Sequence, residues 1–285
     1  MKKAIIICGP TASGKTDFAH SLAQQNNGEI VNADSMQLYK QLPIITASPS
    51  DELKAEIPYH LYNFQDIDQE LSAAKYVALA RKTIIDIESR GKLPIIVGGS
   101  GMYISMLVNG YSQIPNIKDE IRQDARKLHA EIGAEKFFKL LNQLDPEITK
   151  KLNEGDTQRV IRAYEVVKQT GESILIFQAK GNIKPLPDFK FEIEFLNPDR
   201  NTLYARCNAR FLQLLEQGAI EEVESAYKQY GGIKTTGMNA LGAPEIISYL
   251  KDEITKEKMI ELASARTRQY AKRQVTWFKN QKLVY

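Results

Sequence analysis

The 285-residue chain has few of the residues that staple small domains or bind metals tightly. Its two cysteines, Cys8 and Cys207, stand far apart with no partner pattern. That excludes a disulfide framework and fits reduced thiols in a cytoplasmic protein. His20, His60 and His129 show no ligand spacing with each other or with the cysteines, so they read as structural or surface residues and no tightly held zinc is expected. No apolar run approaches the roughly 20 residues of a membrane span, so no membrane association is expected. Lys2 and Lys3 precede an apolar run in the manner of a signal peptide, but that run stops at Gly9-Pro10, too short for a signal h-region. The net charge is only +3, which by itself selects no partner, and 43% apolar residues suit one large domain or a core with an insertion.

The apolar run Ala4 to Cys8 leads into Gly9-Pro10-Thr11-Ala12-Ser13-Gly14-Lys15-Thr16, a complete G-x-x-x-x-G-K-T phosphate loop, followed by a helical stretch from Asp17 to Gln25. A strand that turns through glycines into a helix aims several backbone N–H groups at one spot, where the helix dipole also favours negative charge. Lys15 adds a cation, and the Thr16 hydroxyl can hold a magnesium ion bound to the same phosphates. A diphosphate or triphosphate ligand is predicted.

Strand patterns at Ala4 to Cys8, Glu29 to Ala33 and Leu93 to Val97 alternate with helices, the rhythm of a parallel sheet with right-handed crossovers and helices on both faces. The site belongs at the carboxyl ends of those strands. Leu71 to Arg90 has helical spacing with Gly91 as its stop, so Ile84-Ile85-Asp86 is part of a helix, and the acidic strand of an ATP hydrolase is not visible. Ile117 to Gly171 reads as successive helices broken at Gly133, Asp145-Pro146 and Gly155-Asp156, a helical insertion. Phe191 to Leu196 reads as a returning strand, and helices follow with breaks at Gly218, Gly231-Gly232 and Gly242. The expected fold is α/β, a P-loop NTPase-like parallel sheet core with an all-helical insertion domain. Its parts are a first core segment at 1–112, the insertion at 113–190 and a second core segment with a basic C-terminal helix at 191–285.

Asp34, just past the second strand, lies on the same sheet edge as the phosphate loop. With a reference pKa of about 3.9 its carboxylate is expected to be ionised, able to act as a base or hold magnesium, and equally able to cap a helix. Arg159 and Arg162 lie three apart at a helix start, placed for an anionic partner or for a salt bridge with Glu165. Arg206 and Arg210 lie four apart on a helix and could reach back to phosphates. From Ser264 onward there are six basic residues, Arg266, Arg268, Lys272, Arg273, Lys279 and Lys282, and no acid. Tyr270, Trp277 and Phe278 are interleaved with them, a composition that suits either RNA phosphates and bases or a solvated helix end.

Together these blocks resemble the tRNA dimethylallyltransferase family. The likeness rests on residues 9–16, on Asp-Ser-Met-Gln at 34–37, on Pro-Ile-Ile-Val-Gly-Gly-Ser-Gly-Met-Tyr at 94–103, on Asp-Thr-Gln-Arg-Val-Ile-Arg-Ala-Tyr-Glu-Val at 156–166, and on Arg-Gln-Tyr-Ala-Lys-Arg-Gln-Val-Thr-Trp-Phe at 268–278. The resemblance implies transfer of a dimethylallyl group from dimethylallyl diphosphate to N6 of the adenosine next to the anticodon, tRNA position 37. It implies that Gly9, Thr11, Ala12, Ser13, Gly14, Lys15 and Thr16 bind the diphosphate with Mg2+ at Thr16. Asp34, Thr16 and Arg210 would be catalytic, Asp34 as the base. It assigns tRNA contacts to Asp34, Ser35, Met36, Gln37, Ser100, Arg122, Gln158, Arg159, Val160, Ile161 and Arg162. The expected partners are the tRNA anticodon stem-loop and dimethylallyl diphosphate, and the expected state is a cytoplasmic monomer.

The likeness is incomplete in two segments. Residues 42–49 stand where the family commonly reads Leu-Asp-Ile-Gly-Thr-Ala-Lys-Pro, and the glycine at 242 lacks the usual Tyr-Lys after it. A small-molecule kinase using the loop for ATP is the competing reading.

Overall fold

The computed structural model describes residues 1–69, 71–231 and 235–281. Gly232, expected as part of a helix break, and Lys282, counted in the basic tail, lie outside the described residues. The chain forms two compact units, one of residues 1–108 and 185–285, the other of residues 109–184.

The strands are β1 (Lys2–Cys8), β2 (Gly28–Asn32), β3 (Tyr59–His60), β4 (Leu93–Gly98), β5 (Tyr111–Ser112), β6 (Asn182–Ile183) and β7 (Phe189–Phe195). The first unit is built on a five-stranded sheet in the order β3-β2-β4-β1-β7, in which every pairing is parallel. Central strands of such a sheet are covered on both faces and so read as unbroken apolar runs. Accordingly Ile6, Ile7, Ile30, Ile95 and Ile96 are all buried. The edge strand β7 alternates instead, exposing Lys190, Glu192 and Glu194. It begins at Phe189, two residues before the expected Phe191, because pairing with β1 already starts at Lys2.

Helices α1 (Lys15–Gln25), α2 (Asp51–Glu56), α3 (Ala73–Ser89) and α4 (Gly101–Asn109) interleave with the early strands. The Ser72 hydroxyl caps α3, which buries Tyr76, Val77, Ala80, Ile84 and Ile87, and Gly91 follows it with φ +70°. Ile84-Ile85-Asp86 is therefore helical, as its spacing predicts. The short β3 carries no legible pattern. It is held by Ile30 N–H donating to Pro58 O at 3.0 Å and by His60 Nε2 beside Glu29 Oε2 at 2.7 Å. Glu29 is buried and also clasped by the Arg90 guanidinium, which holds its carboxyl below the ordinary range.

The second unit contains α5 (Asp119–Ile132), α6 (Ala134–Leu144), α7 (Pro146–Thr149), α8 (Thr157–Thr170) and α9 (Ile174–Ala179), packed on Phe137, Leu141, Val160, Ala163, Val167 and Phe177. The breaks fall where the sequence places them: Gly133 adopts φ +80°, and Asp145 caps α7 by accepting from Ile148 N–H at 3.1 Å. The β5–β6 ribbon, only two residues a side, is too short to read from periodicity.

The first unit is completed by α10 (Arg200–Glu216), α11 (Ala219–Tyr230), α12 (Ala243–Leu250) and α13 (Lys256–Asn280). Gly218 and Gly242 open α11 and α12 with φ +96° and +93°. Helix α13 lies against the carboxyl end of β4 through Trp277. A Cβ at Gly101 would come within 2.2 Å of the Trp277 ring. Gly101→Ala is thus expected to cost about 1–3 kcal/mol through overpacking. Thermal unfolding followed by fluorescence of Trp277, the only tryptophan, measures it.

Candidate phosphate and acceptor site

Strand β1 ends at Cys8, and the chain turns through Gly9 at φ +152° and Ala12 at φ +62° into Gly14 at φ +87°, which opens α1. A Cβ on Gly9 would meet Leu196 O at 2.3 Å, so the turn leaves no room for a side chain there. The Ser13 hydroxyl is buried with no hydrogen-bond partner, the mark of a cradle shaped for a group outside the chain. The Lys15 amine folds back to donate to Pro10 O at 2.6 Å. Arg206 and Arg210 on α10 both reach the loop region. Arg206 donates to Ser13 O at 3.5 Å, and Arg210 donates to Thr46 O at 3.4 Å while lining the cradle.

Asp34 follows β2 in an Asx-type turn. Its Oδ1 accepts Met36 N–H at 2.9 Å, and its own N–H donates to Asn32 Oδ1 at 2.8 Å. No helix starts here, so Asp34 is not an N-cap, and Oδ2 has no hydrogen-bond partner among the described residues. Ser35 and Ser100, both expected as RNA contacts, are adjacent: Ser35 N–H donates to Ser100 Oγ at 2.9 Å. Gln37 donates to Thr46 O at 3.1 Å and to Ala47 O at 2.8 Å. Met36 lines a neighbouring apolar cavity.

Two recesses meet at these residues. A polar cradle of about 160 Å³ is lined by residues 11–17, Asp34, Gln37, Gly98 and Arg210. A second cavity, about 230 Å³, shares Thr11, Asp34 and Arg210 and is walled by Met36, Ile45, Phe211, Leu214, Ala240 and Tyr270. One recess suits a charged group, the next an apolar or aromatic one, and Asp34 stands at the boundary.

Burial of the cradle pushes the Lys15 amine down to about 8, with Asp34 opposing and Arg210 reinforcing the shift; burial likewise lowers Arg210, against the pull of Asp34. The folded-state value of Lys15 is below the unfolded one, so the unfolded chain holds more protons between about pH 8 and 10.5, and this group's share of stability rises with pH across that window. A diphosphate needs the charged amine, so affinity for inorganic diphosphate is expected to fall as pH rises above about 8. At that pH, binding should take up about half a proton on account of Lys15. Calorimetry in buffers of differing ionisation heat measures the uptake, and Lys15→Arg, charged at every pH, should lack that contribution.

The structure adds two residues that the sequence reading does not single out. Gln274 of α13, 6% exposed, accepts Thr11 N–H on Oε1 at 2.8 Å and donates from Nε2 to Gly99 O at 3.0 Å. The Thr11 amide is thereby engaged, and the hydroxyl is the donor that Thr11 can offer a ligand. The legible signal was a glutamine within the apolar stripe Met259, Ala263, Ala271 and Phe278. Glu222 of α11 accepts Ile44 N–H at 2.7 Å and Ile45 N–H at 2.8 Å, pinning the divergent 42–49 segment, and burial raises its carboxyl.

The remaining expected RNA contacts lie on the second unit. Gln158 and Arg159 are exposed, and Arg159 pairs with Asp156 at 3.2 Å. Arg162 pairs with buried Glu165 at 3.2 Å, the salt bridge that the spacing allowed. Arg122 lies near Asp119 at 3.7 Å. The Val160 side chain is in the unit's core at 1% exposure, and Ile161 packs against the same core. The Val160 side chain is therefore not displayed as an RNA-facing group would be, whereas Ile161 stays partly exposed.

The aromatic residues of the basic tail also turn inward. Phe278 is fully buried beside Phe195, Trp277 packs on Gly101, and Tyr270 lines the apolar cavity, so they do not form an outward stacking surface. Arg266 pairs with Glu245 at 3.2 Å and Arg268 donates to Asn208, while Lys272, Arg273 and Lys279 are exposed.

A parallel sheet whose first strand passes through a G-x-x-x-x-G-K-T turn into a helix defines a phosphate-loop α/β protein. The model of the IPP transferase family matches residues 37–281. A tRNA dimethylallyltransferase of Rickettsia massiliae is 50% identical over 280 residues, 98% of this chain and 77% of the relative, and one of Rickettsia bellii is 50% identical over 98% and 89%. A eukaryotic dimethylallyltransferase, captured in crystallographic snapshots acting on tRNA, aligns with TM-score 0.83 and 31% identity over 98% of this chain and 70% of that one. The tRNA delta(2)-isopentenylpyrophosphate transferase of Staphylococcus epidermidis aligns with TM-score 0.70 and 32% identity over 100% and 92%. The chain belongs to the tRNA dimethylallyltransferase family.

Proposed function

We propose that the protein transfers a dimethylallyl group from dimethylallyl diphosphate to N6 of adenosine 37 in tRNA, releasing diphosphate. The observation that carries this reading is the meeting of a charged cradle and an apolar cavity at Asp34. The loop from Gly9 to Thr16, with Lys15 and Arg210, holds the diphosphate. As the allylic C–O bond breaks, its electron pair leaves on the diphosphate oxygen. The N6 lone pair forms the new C–N bond, and Asp34 Oδ2 takes the N6 proton. The allylic carbon tolerates positive charge, so stabilising the departing anion is the chief demand, and cations in a desolvated cradle meet it.

The orphaned Ser13 hydroxyl and the nearby Thr16 hydroxyl are hard oxygen donors that fit magnesium together with a diphosphate. Thr16 would hold the ion, and when bound it screens the charge of the leaving group. The adenine must leave its stack to reach Asp34. Ser35, Gln37 and Ser100 then flank the base on this unit, while Arg122, Gln158, Arg159 and Arg162 of the helical unit meet the anticodon stem-loop. Among the described residues no helix is long and apolar enough to cross a membrane, and we place the enzyme in the cytoplasm as a monomer.

Purified protein with magnesium, dimethylallyl diphosphate and unmodified tRNA is expected to yield N6-isopentenyladenosine, read by nucleoside mass spectrometry. ATP with nucleosides is expected to yield no phosphorylated product. The reverse pattern would make it a kinase.

A further inference from the structure

Strands β1 and β2 carry the two halves of the site at their carboxyl ends, the phosphate loop and Asp34, yet they are not neighbours. β4 lies between them. The spacing of the two halves therefore depends on what each is tied to at the end of β4. Asp34 is tied there by its flanking residues: Ser100 N–H donates to Ala33 O at 3.1 Å, and Ser100 Oγ accepts Ser35 N–H at 2.9 Å. The phosphate loop is tied there by Gln274, through Thr11 N–H on one side and Gly99 O on the other. A backbone donor and a backbone acceptor face the amide, so its orientation is fixed by chemistry. Gly99 admits it because a Cβ at that position would come within 2.2 Å of Nε2.

We propose that Gln274 is a positioning residue of the prenyl transfer: its amide sets the distance between the diphosphate cradle and Asp34, so that the allylic carbon and the incoming N6 meet in one geometry. This inference rests on the function proposed above. Displacements near 1 Å between reacting groups cost on the order of 10²-fold in rate, and a buried amide bonded at both ends resists such displacement better than apolar packing does.

The test compares wild type, Gln274→Glu, Gln274→Leu and Ser100→Ala. In Gln274→Glu one carboxylate oxygen still accepts Thr11 N–H, while the other opposes Gly99 O with no proton between them. Calorimetric affinity for inorganic diphosphate with magnesium is expected to fall by less than the single-turnover rate in this variant, because the cradle keeps its own tie and loses affinity only through the added negative charge. The single-turnover rate at saturating tRNA and dimethylallyl diphosphate is expected to fall about tenfold to a hundredfold. Gln274→Leu loses both ties and is expected to lose affinity as well as rate. Combining Gln274→Glu with Ser100→Ala should cost less than the product of the two single losses, because both break one path. A residue with only a packing role would lower the melting temperature and leave the single-turnover rate of the folded fraction unchanged. That result, or fully multiplicative losses, overturns the inference. Wild-type protein that binds diphosphate but forms no prenylated adenosine would remove the functional reading and the inference with it, whereas wild-type activity with unaffected variants removes the inference alone.

Discussion

Replacing Asp34 with asparagine is expected to lower the single-turnover rate of adenosine prenylation by about 10²- to 10⁴-fold, the contribution typical of a positioned general base. The substitution isolates the chemistry. Asp34 Oδ1 accepts Met36 N–H, and an asparagine carbonyl can accept the same bond, so the turn survives. What is lost is the second oxygen, Oδ2, which has no hydrogen-bond partner among the described residues and belongs to the residue that lines both the polar and the apolar recess. An aromatic amine has a delocalised lone pair and attacks poorly unless it is relieved of its proton as the bond forms. The loss therefore belongs to the transition state, and tRNA affinity, measured by equilibrium binding, should change by less than about threefold. A variant that turns over at the normal rate and binds tRNA poorly would show that Asp34 is an RNA contact and not a base.

Lys15→Met is expected to reduce kcat/KM for dimethylallyl diphosphate by about 10² to 10³, the scale of losing one preorganised group that stabilises developing negative charge. Methionine keeps an unbranched stem and removes the charge and the bond to Pro10 O. The same change relieves the burial of an ammonium group that the cradle already pushes down to about 8. Melting temperature should therefore hold steady or rise while activity collapses. Such opposite movement separates a binding cation from a scaffold residue. A parallel loss of stability and activity would instead mean that the lysine mainly stitches the loop. Excess magnesium should not restore the variant, since the nearby arginines are already engaged, Arg206 with Ser13 O and Arg210 with Thr46 O.

Part of the fold is written in short stretches of the chain. The phosphate loop, the central strands and the helix stops at Gly91 and Gly133 depend on local rules, such as glycine's access to positive φ and the periodicity of buried positions. These follow from a few consecutive residues and were legible. Strand β3, two residues long, carries no period to detect, and its existence depends on the Glu29, His60 and Arg90 cluster. The interleaved aromatics of the tail suggested a stacking surface, but a helix has two faces. Only the contacts of α13 show that Phe278 and Trp277 occupy the inner one.

Residue order alone determined that a phosphate loop follows the first strand of a parallel sheet and that an acid follows the second, because both are written in short segments whose geometry is local. Tertiary structure alone decided how those segments are registered to each other. Gln274 meets Thr11 across 263 positions of sequence, and Glu222 meets Ile44 across 178. A hydrogen bond needs its two atoms within about 3 Å, and only the packed core brings groups so remote in the chain to that separation.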